Sequence, residues 1–117
     1  MNPDEFKQKT KALALGVIKL TGSIPGTKAG GVIARQLLRS GTSVAANYRA
    51  ACCAESRADF VAKLGIVQEE CDESLYWIEL LTETRLVKSA VTDEVRMQAK
   101  EILALVISSI RTAKARK

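Results

Sequence analysis

The stretch Asn2-Pro3-Asp4-Glu5-Phe6 reads as the opening of an α-helix. Asn is a strong N-cap, Pro suits the first helical position, and two carboxylates stand at the positive end of the helix dipole. Phe6, Thr10, Leu13, Val17, Leu20 and Ile24 then recur in steps of four and three, one stripe down one helical face. Thr21-Gly22-Ser23 and Ile24-Pro25-Gly26 close that helix with a turn. A second helix is predicted from near Thr27 to near Cys53, with Ala34, Leu37, Leu38, Gly41, Val44, Ala45, Tyr48, Ala51 and Cys52 on its seam. Ser56-Arg57-Ala58-Asp59 is an N-terminal capping signal for a third, whose seam is Phe60, Leu64, Val67, Cys71, Ser74, Ile78 and Leu81. Thr92-Asp93-Glu94 opens a fourth, with Val95, Ala99, Ile102, Val106, Ser109 and Ala113 on its inner face. Four long amphipathic helices with short connections predict an all-α fold, an antiparallel up-down-up-down four-helix bundle that fills residues 1–117 as a single domain.

Composition narrows the function. The chain has 117 residues, 47% of them hydrophobic, and a net charge of +5 from 18 basic and 13 acidic side chains, the balance of an ordinary globular domain. The longest apolar stretch, around Ile102–Ile110, is too short to span a bilayer, so no membrane partner is expected. Met1-Asn2-Pro3-Asp4-Glu5 carries no basic flank before an apolar segment, and a cytoplasmic location is expected. With no histidine, the Ser-His and Cys-His nucleophile pairs are excluded. Cys52, Cys53 and Cys71 lack the paired spacing of a zinc site and read as reduced thiols, packed as small hydrophobes or serving as redox sensors. Glu69, Glu70, Asp72, Glu73 and Glu79 are expected to point outward, away from any metal centre. No catalytic residue, metal or cofactor is therefore expected.

Some apolar residues exceed what the bundle core needs. At 100° per residue, Ile66, Trp77 and Leu80 lie to one side of the third-helix seam, Leu75 lies on the other, and Tyr76 faces backwards. The fourth helix is apolar almost all round from Ile102 to Ile107. Such a helix is buried on more than one side, which calls for another chain. Ile66, Trp77, Leu103 and Ile107 are the expected contacts between subunits of a homo-oligomer.

Charge is segregated as well: residues 1–54 carry +6, 55–83 carry −6 and 84–117 carry +5. Compensation between neighbouring helices is one reading. The other gathers Lys7, Lys9, Lys11 and Lys19 of the first helix with Arg111, Lys114, Arg116 and Lys117, because the first helix starts where the fourth ends. Such a patch binds phosphate backbones without sequence readout. On the second helix, Arg35, Gln36, Arg39, Ser43 and Asn47 share a stripe with Ala46 and Ala50, placed opposite the core seam and open to one ligand or neighbouring chain.

The run Gln36-Leu37-Leu38-Arg39-Ser40-Gly41-Thr42-Ser43-Val44-Ala45-Ala46-Asn47 resembles the Gln-x-x-Arg-x-x-x-Ser-x-x-x-Asn run of the four-helix-bundle proteins encoded by intervening sequences within bacterial 23S ribosomal RNA genes. Ile24-Pro25, Phe60 with Leu64, and Glu70 with Glu73 continue the resemblance. It implies a left-handed bundle assembled into homopentamers. It also implies kinship with the accessory variability protein of diversity-generating retroelements, thought to engage nucleic acid and a reverse transcriptase through a basic surface. Arg49-Ala50-Ala51 stands where the family often has Ala-Glu-Gly, so no role of that glutamate carries over.

The expectation is a non-enzymatic homo-oligomeric ring, a pentamer, that binds RNA or DNA non-specifically. Lys7, Lys11, Arg35, Arg39, Ser43, Asn47, Lys114 and Arg116 are the candidate contacts. A protein-interaction adaptor, gripping a partner such as a reverse transcriptase, is the alternative.

Overall fold

A computed structural model describes residues 2–116. Side-chain caps set three of the four helix starts. Asn2 Oδ1 accepts from the Glu5 amide at 2.8 Å and opens α1, Pro3–Thr21. Thr27 Oγ1 accepts from the Gly30 amide at 3.0 Å and opens α2, Lys28–Cys52. Ser56 Oγ accepts from the Asp59 amide at 3.0 Å and opens α3, Arg57–Glu83. The fourth helix, α4, spans Ser89–Ala115 and has no side-chain cap. It starts before the Thr92-Asp93-Glu94 signal because Thr92 lies on the buried seam, one turn ahead of Val95 and Ala99. The Thr92 hydroxyl donates to the Ser89 carbonyl at 2.9 Å, so burial extends the helix past its capping residues.

The helices form a rod of 50 × 21 × 20 Å in which α1 packs on α2, α2 on α3, α3 on α4 and α4 back on α1, most sparsely at that last seam. Described residues contain no strand, and no helix among them is long and apolar enough to cross a membrane. Phe6, Thr10, Leu13, Val17 and Leu20 are buried from α1, and Leu64, Val67, Cys71, Ser74, Ile78 and Leu81 from α3, as their spacing requires. The α2 seam is rotated from its expected position. Ile33 and Ser40 are buried on it, whereas Leu38 and Cys52 are exposed. Ser40 is drawn inward by a partner: the Ser74 hydroxyl donates to Ser40 Oγ at 2.9 Å in the middle of the bundle.

The core absorbs part of the expected apolar surplus. Trp77 and Leu103 are half-buried against it. Ile66, Tyr76 and Ile107 are not absorbed, remaining 42%, 51% and 37% exposed. Leu15, Ile18, Val32, Leu38, Val91 and Met97 join them on the surface, a surplus that stripe counting on α3 and α4 overlooks.

Candidate nucleic-acid interface

Antiparallel order brings the starts of α1 and α3 and the ends of α2 and α4 to one end of the rod. A cavity of about 640 Å³ opens there between all four helices. Lys7 of α1, Arg57 of α3 and Arg116, the C-cap of α4, line it together with Phe60, Cys52 and Ser109, and no acidic residue is among its walls within the described residues. Its floor includes Phe6 and Tyr48, whose rings stack with centroids 4.2 Å apart and planes 12° from parallel. Burial lifts the Tyr48 hydroxyl far above the ordinary phenol range, so it stays protonated. The Arg57 guanidinium donates to the Arg116 carbonyl and ties the end of α4 across α3.

Lys7 and Arg116, distant in sequence, are thus walls of the same cavity. Lys11 is exposed one turn along α1, and Lys114 is exposed in the last turn of α4. Arg57 escapes sequence reasoning because it lies in the acidic third of the chain, where its own neighbours outweigh it. The available signal is positional: a cation just after the α3 cap arrives at the same end as the α1 start. Lys9 is not unopposed, since its ammonium lies 3.1 Å from Glu101 of α4.

The other predicted contacts lie elsewhere. About 25 Å of helix separates Arg35 from the α2 terminus at the cavity. Arg39 reaches α3, where it donates to Glu70 at 2.9 Å and to Glu73, with Gln36 accepting from its Nε at 3.3 Å. The Arg39 stripe therefore flanks α3 instead of standing opposite the core, and Arg39 is not a free cation. Glu70 and Glu73, expected to point outward, are half-buried partners in that flank. The Trp77 indole donates to Glu73 at 3.0 Å; that bond, reinforced by Arg39, holds the Glu73 carboxyl below the usual range. Asn47 donates to the Ser43 carbonyl at 2.9 Å and to its Oγ at 2.8 Å, a pairing along α2 itself.

The thiols separate by environment. Cys52 and Cys53 are exposed, while Cys71 is buried, donates to the Ala99 carbonyl at 3.1 Å and is pushed up to about 12 by burial. No group of three acidic, thiol or imidazole side chains among the described residues is placed to hold a metal.

Residues 4–108 match the family described as 23S rRNA-intervening sequence protein. The chain belongs to that family. A solved structure of a protein of unknown function from the S23 ribosomal protein family of Bacteroides thetaiotaomicron is similar in sequence and fold. It is 36% identical, the match covers 95% of this chain and 99% of that one, and the TM-score is 0.87. No curated protein matches the chain.

Proposed function

We propose that this family member is a non-catalytic, cytoplasmic, homo-oligomeric bundle that holds RNA or DNA by its phosphate backbone. The convergence of Lys7, Arg57 and Arg116 on one cavity, with no carboxylate among its described lining residues, carries this reading. Three cations from the ends of three helices give a positive end, which attracts phosphates without reading bases. Lys11 and Lys114 extend the same surface. Repetition around a ring, five-fold as the family resemblance implies, raises a weak contact by avidity and makes a net charge of +5 per protomer sufficient. Absence of histidine and a cavity wall without carboxylates favour binding over acid–base chemistry.

A specific observation favours the second reading, an adaptor for another protein. The α1–α4 groove, about 560 Å³, has exposed Leu15 and Val91 on its walls, and the Gln98 Oε1 beside them is buried without a hydrogen-bond partner. Salt separates the two readings. Binding of generic RNA and DNA, followed by gel shift, should weaken with a log–log salt slope of about −0.9 per phosphate held on duplex and about −0.7 on single strands, summed over the protomers engaged. Light scattering on the same samples should give a multiple of 12.7 kDa. Absence of any shift at low salt, for both nucleic acids, overturns the phosphate reading.

A further inference from the structure

The cavity at the basic end has a feature that phosphate binding does not use. Phosphates need cations on a surface, whereas Lys7, Arg57 and Arg116 surround a hollow of about 640 Å³. One wall of that hollow is Phe60, which is only half-buried, and the stacked rings of Phe6 and Tyr48 line it as well. The Ser109 hydroxyl, half-buried in the same wall, makes no hydrogen bond within the described residues. An aromatic wall, a free hydroxyl and three cations at the rim form a combined set of contacts. Flat π-surface suits a base, the hydroxyl suits a base edge, and the cations suit the adjoining phosphate. The volume lies within the range of sites that enclose small ligands.

We infer that this cavity receives one unpaired nucleotide, its base against Phe60 and its phosphate against Arg57, Lys7 and Arg116. The inference rests on the nucleic-acid reading above and sharpens it, because a base held in a stack and paired across a duplex cannot enter. The protein then prefers single strands, loops or frayed ends over continuous duplex.

Fluorescence anisotropy at low salt with labelled oligouridylate, oligothymidylate and an RNA duplex of equal length tests this. Wild type should bind both single strands about tenfold more tightly than the duplex. Phe60→Leu keeps apolar packing on the core but removes the flat ring. It should cost roughly tenfold on the single strands and leave duplex binding unchanged. Equal affinity of wild type for strand and duplex overturns the inference while leaving phosphate binding intact, and needs no variant to fold. Equal losses on strand and duplex in Phe60→Leu, or no loss on either, overturn it in the same way. Failure to bind any of the three probes removes the nucleic-acid reading altogether.

Discussion

Gly41 lets α2 close onto Val17 of α1: a Cβ in its place would stand 2.7 Å from Val17 Cγ2 and 2.8 Å from Cγ1. Valine in a helix has essentially one rotamer, so it cannot swing aside. Gly65, inside α3, has nothing within 4 Å of the same added atom. Two chemically identical substitutions should therefore act in opposite directions. Gly41→Ala gains helix propensity but overpacks the α1–α2 interface, for a net loss of roughly 1–2 kcal/mol. Gly65→Ala should gain about 0.5–1 kcal/mol. Thermal unfolding of the two variants side by side checks both signs.

Arg85 is the one non-glycine among the described residues with a positive φ, 58°, at the turn that ends α3. That left-handed position after a helix C-cap is one that glycine fills without a Cβ penalty. Arg85→Gly should stabilise the fold by roughly 0.5–1 kcal/mol, read from the shift in urea midpoint at constant m-value.

Acid should weaken the α2–α3 flank. The Glu73 carboxyl is held below its unfolded value by Trp77 and Arg39, and the Asp59 carboxyl by Lys63 at 2.6 Å. A depressed carboxyl contributes stability above its unfolded pKa and loses it as pH falls through the folded one. Urea midpoints should thus be level near neutrality and decline below about pH 4.3, the ordinary glutamate value. Arg39→Met should make that decline shallower. Trp77 is the single tryptophan, so its emission reports protonation of Glu73 directly. The emission midpoint should move to higher pH in Arg39→Met.

Thiol chemistry should divide two to one. Cys52 and Cys53 are exposed and Cys71 is buried, with its thiol pushed up to about 12. A thiolate is the reacting species. At pH 8 a disulfide reagent should titrate two thiols in the native protein and the third only in denaturant. Rapid reaction of all three without denaturant would contradict the buried environment of Cys71.

Association should depend on the apolar residues that the core leaves outside. Tyr76→Glu and Ile107→Glu both replace exposed residues. Each should lower the mass seen by light scattering toward 12.7 kDa without changing helicity by circular dichroism. Wild type that already scatters as a single 12.7 kDa chain at high concentration would remove the oligomer from the proposal.

Legibility followed the physical range of each interaction. The α1 stripe from Phe6 to Leu20 and the α3 stripe from Leu64 to Leu81 were readable to the residue, because helical periodicity is a local property. Asn2, Thr27 and Ser56 could be placed at or next to helix starts, since a cap acts three residues away. Ser40 could not be assigned to the core, because a serine is buried only when a partner awaits it, and Ser74 lies on another helix. The same limit hid the destination of Arg39: its stripe on α2 was visible, but Glu70 and Glu73 come within reach only after α3 docks.

The candidate site divides along that line. Charge segregation and the meeting of the α1 start with the α4 end follow from counting residues and helices. Arg57, Phe60 and Ser109 join Lys7 and Arg116 only through packing, Arg57 and Phe60 from a stretch of the chain that is itself acidic. Periodicity and capping, which act within a turn or two, determined four helices and their order. Which cations converge, and that three of them line one hollow with Phe6, Tyr48 and Phe60, was decided by the docking of all four. Such long-range contacts depend on where each helix end arrives, and no local pattern encodes that.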